Sequence, residues 1–147
     1  MKCTLSLVAL AISASACAST PPLRPAVETH LEAVRTRNLD ALLATLTDGR
    51  ELRMIAPNGF QSTTRAQYVS FHRQWFASND AGRFDPEIVH IVESPRLGHA
   101  LIKLRYRATA PTGAVQDVVS WLALTFALED GGWRLVFDQS TLIQPSP

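Results

Sequence analysis

Cysteine is nearly absent. The chain has two in 147 residues, Cys3 and Cys17, and both stand near its N-terminus. Past Cys17 there is no thiol to pair, to attack a substrate or to bind zinc, so the stability of the remainder must come from its core. An excess of one charge is also missing. Fourteen basic residues face 13 acidic ones for a formal net charge of +1, and no Lys/Arg block stands out. The electrostatic footprint of a nucleic-acid binder is therefore lacking. The four histidines, His30, His72, His90 and His99, form no H-x-x-x-H or H-x-H pair, and no metal site is expected. There is neither a G-x-S-x-G elbow nor a glycine-rich phosphate loop, so nothing supports serine-nucleophile or nucleotide chemistry, and no cofactor is expected.

A long hydrophobic run is missing too, but a short one is present. Lys2 is followed by an apolar stretch from Leu5 to Ile12 and then by small residues. A cationic start, a core too short to anchor in a bilayer and a small-residue cleavage zone describe a signal peptide over residues 1–16, and hence export. Ala14-Ser15-Ala16 fits the A-x-A pattern of ordinary secretion. Cys17 follows at once and resembles the lipobox cysteine of bacterial lipoproteins, although Ala14 stands where that box prefers Leu. The reading favours lipid attachment at Cys17, with a soluble periplasmic or secreted form as the alternative. Residues 17–24 read as a Pro- and Ser-rich linker and residues 25–147 as one domain.

From Pro25 to about Arg37, Val27, His30, Leu31 and Val34 recur at helical spacing. Asn38 ends that helix and caps a short second one, "LDALLATL". "ELRMIAP" reads as a strand, and Thr64 with Gln67 forms a capping box that opens a third helix, "QYVSFHRQWF". The remainder is long β-branched and aromatic segments separated by Pro or Gly turns, which predicts antiparallel strands. In one of them Ile102, Leu104 and Tyr106 alternate with Lys103, Arg105 and Arg107, so one face is buried and the other charged. Helices first and strands after give an α+β fold with helices on one side of the sheet.

That order resembles the nuclear transport factor 2-like superfamily, whose domains have a cone-shaped cystatin-type fold: N-terminal helices packed on a curved antiparallel sheet. "HLEAVRTRNLDALLATLTD" is similar to its opening and "GGWRLVFDQST" to its closing strand. Together they resemble the SnoaL-like and ketosteroid-isomerase-like branch. The resemblance implies a cavity between helices and sheet, and with it a small-molecule ligand. The ketosteroid isomerase set, an Asp base with a Tyr and a protonated Asp, has no residue-by-residue counterpart in motifs of this chain.

His72 lies on the apolar face of the third helix with Tyr68, Phe71, Trp75 and Phe76. It reads either as an acid-base group in an aromatic-walled pocket or as a bonded core histidine. His30 stands on the core stripe of the first helix and takes the same two readings. In the last strand Trp133, Leu135, Phe137 and Gln139 share one face, and Arg134, Val136, Asp138 and Ser140 the other. The greasier face predicts Phe137 and Gln139 as pocket wall, unless a bulge re-aims the strand. Asp138 is then an outer-face partner for Arg105 or Arg107, or, if turned inward, the carboxylate that completes an acid-base pair with His72. The favoured expectation is a binder of a small apolar or amphipathic molecule, with Tyr68, Trp75, Phe137 and Gln139 around the ligand. The alternative is an isomerase, cyclase or dehydratase using His72 and Asp138. "VVSWLALTF" is apolar on both faces, which predicts a homodimer through the sheet.

Overall fold

A computed structural model of the chain describes residues 20–78, 82–109 and 112–143. The signal segment, its cleavage zone and Cys17 lie outside the described residues. The elements run α1 (Arg24–Arg35), α2 (Leu39–Leu43), β1 (Glu51–Ile55), β2 (Gln61–Thr64), α3 (Arg65–Phe76), β3 (Arg83–Glu93), β4 (Leu97–Thr109), β5 (Val115–Glu129) and β6 (Gly132–Leu142).

Packing begins just ahead of Pro25. Leu23 is fully buried, and its backbone N–H donates to Glu93 Oε1 at 2.9 Å. Trp133 Nε1 donates to the Pro21 carbonyl at 2.7 Å. These bonds tie the entry of α1 to the β3 end and to β6. Val27, His30, Leu31 and Val34 are buried as their spacing predicts, and each large aliphatic there contributes about 1.5–3 kcal/mol of transfer free energy. Arg37 turns left-handed at φ 53° and stops the helix. Asn38 then caps α2, its side chain accepting from Ala41 N–H at 3.0 Å. Thr64 caps α3 by accepting from Gln67 N–H at 3.3 Å, while Gln67 Oε1 accepts from Thr63 N–H at 2.9 Å.

The strands form one six-stranded sheet in the order β2-β1-β6-β5-β4-β3. Neighbours are antiparallel except at β1 and β6, which run parallel. The sheet is thus mixed, where the strand sequence alone predicted an antiparallel one. β2 pairs with β1 across the turn at residues 56–60; its polar "QSTT" gave no strand signal in the sequence. Two of the sheet's irregularities are bulges in its long strands. Val89 is the extra residue of β3 opposite β4, and Val136 is the extra residue of β6 opposite β5. The helices pack on a single face, α1 against β3 and α3 against β1 and β2. The core lies between, around Tyr68, Ile102, Leu124, Phe126 and Leu135. The architecture is α+β, with a cavity left at the end of the cone away from Leu23 and Trp133.

Candidate functional site

The bulge at Val136 decides which side chains meet in that cavity. Before it, Trp133 and Leu135 point to the helices; after it, the inward row is Asp138, Ser140 and Leu142. Phe137 and Gln139 are thereby turned to the far face of the sheet. Phe137 borders a shallow groove with Arg50, Arg53 and Glu129, and Gln139 Nε2 reaches Thr141 Oγ1 at 3.4 Å. The expected pocket wall of Phe137 and Gln139 is therefore corrected to Asp138 and Ser140. Asp138 is not the partner of Arg105 or Arg107; Asp117 takes that role, accepting from Arg105 Nη2 at 2.6 Å and from Arg107 Nε at 3.2 Å.

The cavity encloses about 720 Å³. Its wall is mainly apolar: Leu31 and Val34 from α1, Phe71 and Trp75 from α3, Phe84, Leu104 and Leu122 from the sheet. Polar groups are few, and three of them are ionisable and nearly excluded from solvent: His30, His72 and Asp138, at 2%, 4% and 8% exposure.

Asp138 sits at the inner wall, where Tyr68 Oη donates to its Oδ2 at 3.3 Å. Burial raises its pKa to about 7; the Tyr68 hydrogen bond pulls the other way but does not offset desolvation. Tyr68 is fully buried and stands behind the cavity wall, not in it. Its phenol is pushed well above its ordinary value by burial and by the Asp138 carboxylate. His72 is stacked on Tyr68, with ring centroids 4.2 Å apart. Phe71, Trp75 and Phe76 meet the imidazole edge-on at 5.3–5.8 Å. Its Nδ1 lies 3.0 Å from the Tyr68 carbonyl. Burial lowers the pKa of His72 to about 4, with the Tyr68 carbonyl opposing. His72 and Asp138 share no hydrogen bond; Tyr68, touching both, is what joins them. One ring nitrogen of His72 is thus bonded within the helix, and the ring also lines the cavity.

His30 is the third buried ionisable group of the cavity. It reaches the cavity from α1, with Nδ1 2.8 Å from Thr45 Oγ1. Burial holds its pKa down to about 3, helped by the proximity of His72. Its helical spacing marked it as core, and no sequence signal separated a core histidine from one at the core's edge. Ser140 Oγ donates to Ser120 Oγ at 3.2 Å, a pair that closes the polar strip on β5 and β6. Among the described residues no group of three metal-binding side chains occurs, and none that lines the cavity is Lys or Arg.

This arrangement can hold an apolar molecule and can exchange a proton with it near neutral pH through Asp138. Comparison with known proteins gives the setting. A kinase association domain candidate from Thiobacillus denitrificans, of the calcium/calmodulin-dependent type II class, is 18% identical over 84% of this chain and 97% of its own, with a TM-score of 0.72. A candidate dehydratase of the NTF2-like family from Streptomyces avermitilis is 12% identical over 84% and 95%, with a TM-score of 0.72. A ketosteroid isomerase-like protein from Erwinia carotovora atroseptica is 16% identical over 84% and 95%, with a TM-score of 0.71. At such identities the likeness is one of fold, and the three descriptions span different activities. No curated protein sequence matches the chain. The model of the SnoaL-like domain matches residues 23–143, a span from the buried Leu23 to the end of β6, and the chain belongs to that SnoaL-like family.

Proposed function

We propose that this protein binds a small, largely apolar molecule in the cavity between α1, α3 and the sheet. The observation that carries the reading is the cavity itself: about 720 Å³ of space, walled by apolar side chains with a few converging polar groups. Such a combination marks ligand sites generally. A pocket plugged by its own large side chains is the competing arrangement; Met54 and Trp75 do line the cavity, but four other large aromatics are placed elsewhere. Tyr68 and Phe126 are buried in the core, Phe60 is 41% exposed, and Phe137 faces away. Native mass spectrometry of the purified domain tests the reading. The expected spectrum contains a non-covalent small-molecule adduct, or gains one when an apolar aromatic is added. A domain that stays ligand-free under both conditions and does not change its melting temperature overturns it.

A second reading, proton-transfer catalysis, is favoured by one observation: Asp138 is a buried carboxyl, bonded by Tyr68, whose pKa lies near 7. In that reading Asp138 is the base, and Tyr68 holds it in place. His72, neutral and not bonded to Asp138, serves to orient the ligand. Isomerisation and dehydration both begin with such a proton abstraction next to a carbonyl. Deuterium uptake into a bound ketone, lost in D138N, is its expected signature; uptake unchanged in D138N refutes it.

Export and a second copy of the chain complete the proposal. Lys2, the Leu5–Ile12 run and Cys17 support a lipid-anchored or secreted envelope protein. Intact mass of the membrane fraction is expected to show a diacylglyceryl group on Cys17, and a mature form that retains Met1 refutes export. On the far face of the sheet Trp121 is 39% exposed beside half-buried Val119 and Ala123, a row that a two-fold partner would cover.

A further inference from the structure

The hydrogen bonds around the cavity fix which nitrogen of His30 and of His72 carries the proton and which can only receive one. Thr45 Oγ1 has one proton, and it spends that proton on the Leu42 carbonyl at 2.7 Å. The 2.8 Å contact between Thr45 and His30 must then be donated by His30 Nδ1–H. The His72 Nδ1 lies 3.0 Å from the Tyr68 carbonyl, which can only accept, so this nitrogen also carries its proton. In a neutral imidazole the other nitrogen is then a bare lone pair. Both rings are buried and line the cavity, and neither Nε2 has a partner among the described residues. Asp138 adds a third polar group, one that accepts when ionised and donates when protonated, since Tyr68 occupies only its Oδ2.

Two imidazole acceptors and a carboxyl thus come from three elements, α1, α3 and β6, in a space with no Lys or Arg among its described lining residues. A carboxylate or phosphate entering that space would lose its hydration, find no cation, and face Asp138. A pure hydrocarbon would leave both imidazole lone pairs without donors, and each orphaned group is costly. We propose that the ligand is a neutral alcohol or phenol whose hydroxyl enters first and shares its single proton between the Nε2 atoms of His30 and His72 in a three-centre bond, its apolar body filling the wall of Phe71, Trp75, Phe84 and Leu104. The inference rests on the binding function proposed above and adds the chemical class of the ligand. It also gives His30 and His72 one shared role: they select the hydroxyl.

The test uses three probes on one ring system: 2-naphthol, 2-methylnaphthalene and 2-naphthoate. Binding is read by calorimetry and by the fluorescence of Trp75 in the cavity wall. The expected order is 2-naphthol first, by roughly tenfold over 2-methylnaphthalene, a ratio suited to a good hydrogen bond, with 2-naphthoate weakest. In His72→Phe, which removes the acceptor but keeps a ring, 2-naphthol is expected to fall to the level of 2-methylnaphthalene, whose own affinity stays the same. His30→Phe provides the same comparison from α1, and the wild-type ranking stands as a test even if either variant fails to fold. Equal binding of naphthol and methylnaphthalene, or preference for naphthoate, overturns the inference while leaving the apolar pocket intact. Failure of all three to bind overturns the binding function itself.

Discussion

Replacing Asp138 by Asn keeps the shape and the acceptor for Tyr68 while removing the ability to ionise. In the fold this carboxyl titrates at about 7, against 3.8 in its ordinary state. The raised value means that the fold favours the protonated form, so stability falls as pH climbs from 3.8 to about 7 and is level above that. Each pH unit between the two values is worth about 1.4 kcal/mol, so an ionised Asp138 costs the fold on the order of 4 kcal/mol at pH 8. His30 and His72 act in the opposite direction. Their folded values of about 3 and 4 lie below the ordinary 6.5, so their contribution is complete above pH 6.5 and is lost as pH falls through that range. Both histidines are present in wild type and in D138N, and they cancel in the difference. Urea denaturation of the two proteins at pH 4, 6 and 8 therefore isolates the carboxyl. At pH 4 the two should be nearly equal, at pH 6 D138N should lead, and at pH 8 it should lead by up to about 4 kcal/mol. A difference that does not change with pH, or a D138N protein weaker than wild type at pH 8, would refute the reasoning, for it would mean that Asp138 is content as a carboxylate.

Three further outcomes follow from the same geometry. Thr45→Val leaves the buried Nδ1–H of His30 without its acceptor and should cost about 1–3 kcal/mol in urea denaturation, whereas Thr45→Ser should cost much less. Gly98→Ala would place a Cβ 2.3 Å from Cδ2 of Leu23, which is fully buried and has nowhere to move; overpacking of about 1–3 kcal/mol should appear as a lower melting temperature, and an unchanged melt would show that the α1 entry is not held as described. Sedimentation should give a dimer that Trp121→Arg converts to a monomer, and a wild-type monomer at every concentration would exclude the sheet face as an interface.

Local chemistry wrote much of this fold into the sequence. The stripe of Val27, His30, Leu31 and Val34, the caps at Asn38 and Thr64, and the alternation from Ile102 to Arg107 depend on neighbours a few residues away, and each is legible from spacing. Such patterns also placed Tyr68, His72 and Trp75 on one side of α3, because a helix repeats regardless of what it packs on. The polar strand β2 and the parallel pairing of β1 with β6 were not legible, because both are made by partners distant in the chain. Nor was the bulge at Val136. Strict alternation in β6 puts Phe137 and Gln139 inside, and only pairing with β5 inserts the extra residue that turns Asp138 inward. Tertiary structure alone then brings that carboxyl to Tyr68 and sets it in one cavity with His72 and His30. The reason is physical: a side chain's type is local, but its burial, its hydrogen-bond partner and hence its pKa belong to whatever the fold packs around it.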